Sequence, residues 1–409
     1  MLDTLLRRYI RRGTLTVHFP GGKTATYGSG APRVAIRIKD GAALRAISLD
    51  PDLKLGEMYM DGRLDIEEGG VVAMMDLLMG NVAAAGGARG SHRALRAVRR
   101  LFRAFSQFNP ASRARAHVAH HYDLSGRLYD LFLDASRQYS CAYFMRDDDT
   151  LEAAQAQKKR HIAAKLNFDR PDLSVLDIGC GWGGLALDLA RERQARVTGI
   201  TLSTEQLGMA TANAEKTGMA DRCKFQLIDY RAMTGKFDRI VSVGMFEHVG
   251  VAYYKDFFRK VEELLAEDGV MLLHTIGRAD GPGTTNAWIR KYIFPGGYCP
   301  ALSEIMPVIE KSGLMVTDIE VLRLHYAKTL AEWQKRFQAN RAEVARLYDE
   351  RFCRMWEFYL AGAEMAFRHE HQVVYQIQIA RKVDALPLTR DYMMEPREGE
   401  AAAGVKAAA

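Results

Sequence analysis

Apolar residues follow two rhythms along this chain. From Ser174 onward, short apolar runs alternate with stretches in which apolar residues recur every three or four positions. The runs predict strands over Ser174–Ile178, Arg196–Thr201, Phe225–Ile228, Arg239–Val243 and Val270–Thr275. The longer spacing predicts helices over Leu185–Arg193, Thr204–Thr217 and Tyr253–Leu265. This alternation is the βαβ rhythm of a parallel, doubly wound sheet. Leu314–Leu322 and Val373–Ala380 read as two late strands, with a helical insertion between them from about Leu330 to Phe367.

The chain before that region is organised differently. Residues 1–80 mix short apolar segments with turn signals such as Pro20-Gly-Gly and Asp61-Gly, which predicts a small α/β or mostly β unit. Asn81–Gly90 is rich in Ala and Gly and reads as a linker. Ser91–Phe108 reads as an amphipathic helix: Leu95, Val98, Leu101, Phe102, Phe105 and Phe108 recur at helical spacing, with arginines on the other side. The expected layout is thus 1–80, a basic connection over 81–116, a second domain over 117–385, and a tail over 386–409. The tail is Ala/Gly/Glu-rich after Pro396 and is expected to be disordered in part.

Charge sharpens the reading of that connection. The chain carries a formal net charge of +7. No Asp or Glu falls between Leu77 and Tyr122, where Arg89, Arg93, Arg96, Arg99, Arg100, Arg103, Arg113 and Arg115 stand. Without those eight, the 57 basic residues fall just below the 50 acidic ones, so the positive charge is local. Two readings stand for the Arg-rich helix: a surface for anionic membrane headgroups, or an interdomain helix with solvated or paired arginines. No nucleic-acid motif accompanies the charge, so nucleic acid is not an expected partner. The five cysteines, Cys141, Cys180, Cys223, Cys299 and Cys353, form no CxxC pair, which indicates neither a metal site nor a disulfide framework. The N-terminus lacks the apolar core of a signal peptide, and no apolar run approaches the ~20 residues needed to span a bilayer. A cytoplasmic location is expected.

The chemistry gathers at the carboxyl ends of the predicted strands, where ligands bind in open α/β sheets. Asp177, Thr201, Asp229, the turn Met245-Phe246-Glu247-His248, and His274 fall there. After the first strand the chain reads Asp177-Ile-Gly-Cys-Gly-Trp-Gly183. Gly179, Gly181 and Gly183 permit a tight turn and let a ligand lie against bare main chain. Such a loop alone is a weak signal. With Asp177 before it and Asp229-Tyr230 after the third strand, it points to S-adenosylmethionine, whose adenine and ribose need such partners. The acid often found at the end of the second strand is missing. Thr201-Leu-Ser-Thr-Glu-Gln206 stands there, so hydroxyls and an amide serve instead. Ser203 and Gln206 also read as a capping box, and the two roles can coexist.

Several motifs in order then carry a resemblance. His121-Tyr-Asp-Leu-Ser125, Tyr139-Ser-Cys-Ala-Tyr-Phe144, the glycine loop, Thr201-Leu-Ser203, Phe237 to Gly250 and Leu273-His-Thr-Ile-Gly277 resemble the cyclopropane-fatty-acid synthases, including the mycolic acid methyltransferases. So do Trp288-Ile-Arg-Lys-Tyr-Ile-Phe-Pro-Gly-Gly297, Leu324-His-Tyr-Ala-Lys-Thr-Leu330 and Arg354-Met-Trp-Glu-Phe-Tyr-Leu360. The match runs from His121 to about Gln378, and the N-terminal region resembles the extra domain of the phospholipid-modifying members.

The resemblance implies an α/β class I methyltransferase fold: a seven-stranded Rossmann-like sheet with helical lid insertions, plus a smaller N-terminal α+β domain. It implies methyl transfer from S-adenosylmethionine to the cis double bond of an unsaturated phospholipid acyl chain. The alkene is the nucleophile, a carbocation forms on the chain, and loss of a proton from the new methyl closes the ring. Bound bicarbonate serves as base, held by Cys141, Glu247, His274, Ile276 and Tyr326, with Cys141 and Ile276 acting through backbone groups. Tyr139, Ser140, Asp177, Gly179, Gly181, Thr201, Ser203, Gln206, Asp229 and Tyr230 are implied at the cofactor. Peripheral attachment to the inner membrane face and a homodimer are further expectations.

An alkene needs no general base to become a nucleophile, so no Ser-His-Asp or Cys-His set is required. Members often carry a cysteine at the position of Ala363; Cys353 lies upstream, on a different face. A cation mechanism needs no cysteine, so activity is expected, with the fate of the cation open to a ring or a methyl or methylene branch. A methyltransferase for a soluble small molecule and a binding module without chemistry are the competing readings. Trp288, Tyr292, Phe294 and Trp356 read as core or as acyl-pocket residues.

Overall fold

A computed structural model describes residues 2–86 and 125–394. The expected Arg-rich helix, the His121–Leu124 part of the first motif and the tail beyond Pro396 lie outside the described residues. In the N-terminal unit, β1 (Gly13–His18), β2 (Thr24–Ser29), β3 (Arg33–Ile38) and β4 (Leu64–Glu68) form a sheet in the order β2-β1-β3-β4. β1 shows the two-residue alternation of a half-buried strand, with Leu15 and Val17 in the core. Helices Gly41–Leu49, Pro51–Met60 and Gly70–Ala84 accompany the sheet, so the unit is α+β.

The second sheet comprises β5 (Ser174–Ile178), β6 (Arg196–Thr201), β7 (Cys223–Leu227), β8 (Phe237–Val243), β9 (Leu265–Arg278), β10 (Met315–Val321) and β11 (Gln372–Ala380). Its order is β10-β11-β9-β8-β5-β6-β7. β5 to β9 pair in parallel, as expected. β11 runs antiparallel to both β9 and β10, so the all-parallel expectation fails there. Burial along β11 is almost continuous, and such a pattern carries no direction.

β9 is longer than expected. Its pairing with β8 stops at Val243–His274, while its pairing with β11 continues to Gln372–Arg278. His274 is therefore not at a strand end; it lies where β9 outruns its parallel neighbour. The helical insertion also begins earlier, with helices His325–Ala339, Arg341–Leu347 and Glu350–His369.

Three cores result. Two lie around the seven-stranded sheet, one including Phe257, Phe258 and Ile377, the other Leu185, Leu189 and Val197. The third runs without a break from Leu15 and Met74 of the N-terminal unit to Trp333, Trp356 and Leu360 of the insertion, and on to Cys141 and Trp182. The N-terminal unit thus docks on the helices of the insertion. At Gly56 an added Cβ would stand 2.5 Å from the Trp288 indole nitrogen and 2.9 Å from Phe358, so only glycine permits this approach. Trp288 Nε1 donates to Met60 Sδ at 3.2 Å, and Tyr59 donates to Glu357 Oε1 at 2.5 Å. Tyr292 donates to Glu57 Oε1 at 3.0 Å. Trp288 and Tyr292 are therefore interface residues.

The linker expected from Asn81 starts later, because the helix Gly70–Ala84 continues through that residue. Asn81 is buried and makes four bonds. Its Oδ1 accepts from the backbone of Arg11 and Arg12, and its Nδ2 donates to the carbonyls of Arg12 and Leu77. A side chain satisfied in this way closes the N-terminal unit.

Candidate active site

Strand order reverses at β5, whose neighbours are β6 and β8, and a crevice opens at their carboxyl ends. β5 is buried over its last four residues, which fixes Asp177 and the turn after it. Gly179 and Gly181 have φ of +83° and +56°, backbone that residues with side chains rarely adopt. A Cβ at Gly179 would sit 2.9 Å from that of Met245, while Gly181 faces open space. Gly183 differs. An added Cβ would meet Phe225 at 2.8 Å and Ala210 at 3.0 Å, so this glycine serves packing between helix and sheet rather than a ligand.

One pocket is lined by Tyr139, Ser140, Asp177, Gly179, Gly181, Thr201, Gln206, Asp229 and Tyr230. These are all but one of the residues expected at the cofactor. Ser203 is not in the lining; its Oγ accepts from the backbone N–H of Gln206 at 3.3 Å and caps the helix Thr204–Lys216. The reciprocal half of the capping box is not made. Gln206 Oε1 instead accepts from the Thr201 hydroxyl at 2.7 Å.

The pocket holds polar atoms with nothing to bond. Asp177 Oδ2 and Trp182 Nε1 are buried without a partner. Burial pushes the Asp177 carboxyl up to about 7, against the pull of the Lys158 charge. An orphaned acceptor, an orphaned donor and a side-chain-free turn fit a nucleoside-bearing ligand. Asp229 is already engaged: Arg231 donates to both its oxygens, at 2.8 and 2.9 Å. Serving a ligand would require it to exchange partners. Arg231 and Trp182 line the pocket and were not anticipated.

The five residues expected around a small anion stand outside this lining. Glu247 and Ile276 form a pair. Where β8 ends, Glu247 in the turn Phe246–His248 takes the next place beside β9, and its Oε1 accepts from Ile276 N–H at 2.6 Å. Its Oε2 is buried without a partner, and burial pushes the carboxyl up to about 7. Since the N–H of Ile276 is engaged and its carbonyl accepts from the Thr275 hydroxyl at 3.1 Å, the backbone of Ile276 has no donor left for an anion.

His274 is 2% exposed, and burial holds its imidazole well below the usual range, so the ring is neutral. Gln376 on β11 faces it, with Nε2 3.2 Å from Nδ1. With the amide donating, the ring proton sits on Nε2 and offers a donor. The partner of His274 was invisible in sequence because nothing there pairs β11 with β9. Cys141 is buried and burial pushes its thiol up, which leaves no thiolate. Tyr326 packs against Trp333 and Phe367, with ring centroids 5.8 and 5.0 Å away. It is close enough to Tyr139 to bear on its ionisation, and the Tyr139 hydroxyl lies 2.9 Å from that of Tyr359. Ala363 packs against the same core, of which Cys353 is also a buried member, and the Cys353 thiol donates to the Arg341 carbonyl at 3.8 Å.

Sheet order, the glycine turn and the pocket at the strand-order reversal define a class I S-adenosylmethionine-dependent methyltransferase. Comparison with known proteins is more specific. The family model described as mycolic acid cyclopropane synthetase matches residues 110–377, and a domain of unknown function matches residues 1–83. The chain belongs to the cyclopropane synthase family. It is 37% identical to a probable fatty acid methyltransferase of Pseudomonas putida, over 89% of this chain and 92% of the relative. It is also 37% identical to the cyclopropane-fatty-acyl-phospholipid synthase of Escherichia coli (strain K12), over 87% and 90% respectively. Among solved structures, mycolic acid cyclopropane synthase CmaA1 complexed with SAH and CTAB aligns with a TM-score of 0.62 at 34% identity, covering 67% of this chain and 99% of that one.

Proposed function

We propose that this protein methylates the cis double bond of unsaturated acyl chains in membrane phospholipids and closes a cyclopropane ring, with bicarbonate as the base. Glu247 carries the reading: a buried carboxylate with one oxygen on the Ile276 N–H and the other unpartnered beside the cofactor crevice. A carboxyl raised to about 7 exists in part as the neutral acid, which can donate a hydrogen bond to a small anion. His274 supplies an N–H, and the Tyr326 hydroxyl a further contact. Tyr139, Ser140, Asp177, Gly179, Gly181, Thr201, Gln206, Asp229 and Tyr230 hold S-adenosylmethionine, which supplies an electrophilic methyl group.

Around these groups the walls are aromatic. Tyr139 stacks on Trp333 at 5.0 Å, and Phe132 meets Tyr139, Trp333 and Trp356 edge-on at about 6 Å. Rings present negative faces to a positive centre and no strong nucleophile to intercept it. The neutral, buried Cys141 fits the same need.

Ala363 supports a second outcome of the same transfer, a methyl or methylene branch, because it removes a side chain near the reacting region. Vesicles of unsaturated phospholipid with methyl-labelled S-adenosylmethionine test the proposal. Label in the acyl chains supports it; label only in a soluble acceptor overturns it. Mass and olefinic-proton spectra of the chains then separate ring from branch.

The Arg-rich segment brings the protein to the anionic inner membrane face. No helix among the described residues is long and apolar enough to cross a membrane. Changing Arg96, Arg99, Arg100 and Arg103 together to Gln should weaken binding to anionic vesicles and flatten its salt dependence. Unchanged vesicle affinity would overturn that part of the proposal.

A further inference from the structure

The helix Leu151–Lys165 carries a buried stripe that includes two polar residues one turn apart, Gln155 and Lys158. Both side chains are wholly buried. Both reach the same segment. Gln155 Nε2 donates to the carbonyls of Gln138 and Ser140, at 3.2 and 3.0 Å. Lys158 Nζ donates to the Gln138 side-chain oxygen at 2.7 Å and to the Ser140 hydroxyl at 2.9 Å. Main chain and side chains of two alternate residues are thereby held from one helix face.

The held segment stands between the two halves of the site. Gln138, Tyr139 and Ser140 line the cofactor pocket, and Cys141 follows directly. The segment has no regular backbone ladder of its own, since it lies in neither helix nor strand. Its position therefore depends on side chains such as these. Lys158, whose own ammonium burial holds down to about 7, also bears electrostatically on Asp177, Cys141 and His274. Burying a lysine is costly unless its bonds are made. Here they are made to the loop that joins the cofactor pocket to the anion-holding residues.

We propose that Gln155 and Lys158 are positioning residues that clamp the segment Gln138–Cys141, fixing Tyr139 and Ser140 at the cofactor while fixing Cys141 at the anion. The proposal rests on the cofactor reading of the pocket but not on the identity of the acceptor. The clamp acts through Ser140, so its two partners should be energetically coupled.

The test uses the full chain and S-adenosylhomocysteine as probe, by calorimetry, with lipid-vesicle kinetics alongside. Lys158→Met should weaken S-adenosylhomocysteine binding about tenfold or more, as expected for loss of two buried hydrogen bonds that order a ligand contact. Gln155→Leu keeps the volume and the neutral charge and should weaken it in the same direction. The double variant Ser140→Ala/Lys158→Met should lose less than the sum of the losses of Ser140→Ala and Lys158→Met. Turnover should fall with affinity, while KM for the lipid stays put. Wild-type affinity in folded Lys158→Met or Gln155→Leu protein, or additive losses in the double variant, would overturn the proposal. If Lys158→Met does not fold, Gln155→Leu decides alone. A wild-type protein that binds the probe but leaves lipid unmethylated would sink the lipid reading while leaving the clamp intact.

Discussion

Two buried glutamates receive opposite treatment in this molecule. Glu57, at the contact between the N-terminal unit and the insertion, is 5% exposed; Glu247, beside the cofactor crevice, is 8% exposed. Burial alone would push both carboxyls up. At Glu57 the hydrogen bonds from Lys291, Lys54 and Tyr292 outweigh it and hold the carboxyl at about 2. At Glu247 the backbone N–H groups of Ile276 and Glu247 itself and the Thr275 hydroxyl do not outweigh it, and the carboxyl stands at about 7 with Oε2 unpartnered. The two carboxyls differ in depth as well as in partners: the Glu57 group lies near the surface among lysines that reach solvent, while the Glu247 group lies deep. The saturated carboxylate joins elements, and the Glu247 oxygen without a partner is the one open to a ligand.

The largest expected effect tests the unsaturated side. Glu247→Ala removes both the oxygen that accepts from Ile276 N–H and the unpartnered oxygen left for the anion. Turnover should drop about a hundredfold or more, while S-adenosylhomocysteine affinity is unchanged. Loss of cofactor binding instead would move Glu247 into the cofactor pocket and break the contrast. The saturated side is tested by Glu57→Ala, which leaves Lys291 and Lys54 without their carboxylate. Urea unfolding should show a loss of about 2–3 kcal/mol, tempered because both lysines reach solvent. Turnover per folded molecule should not change. A drop in turnover at full stability would give Glu57 a role at the site.

The same contrast explains what the sequence made legible. Periodicity recovered the strands from β5 to β9, because each is an apolar run closed by a turn signal. It left the direction of β11 open, since a strand buried on both faces reads alike in either sense. Asp177 and the glycine turn were legible because local geometry demands them. Lys158 was not. It stands in Gln157-Lys-Lys-Arg160, a run that reads as a solvated face, yet only Arg160 is exposed, while Lys159 is half-buried against Asp188 and Ser136. The available signal was spacing: Lys158 continues the stripe of Leu151, Ala154 and Gln155 toward Ile162. Partners such as Gln376 and Arg231 belong to tertiary pairing, which no single segment encodes.

The smallest expected effect is a pH dependence, and its sign separates the two glutamates. The native state keeps Glu247 protonated up to about 7, whereas an ordinary glutamate ionises near 4.5. Between those values the folded protein binds a proton that the unfolded chain has released. That contribution to stability is whole below 4.5 and is lost as pH rises through about 7. Asp177 adds to it in the same direction, from 3.8 to about 7. Glu57 behaves oppositely: its contribution is present above 4.5 and is lost as pH falls through about 2. Urea unfolding without ligand, compared between wild type and Glu247→Gln, should therefore show the wild type losing ground from about pH 5 to about pH 7 and holding level above, by on the order of 1–3 kcal/mol. The matching comparison with Glu57→Gln should be flat over that range. A flat Glu247 difference would mean that its second oxygen has a partner in solution, and Glu247 would then belong with Glu57 among the groups that hold the fold together.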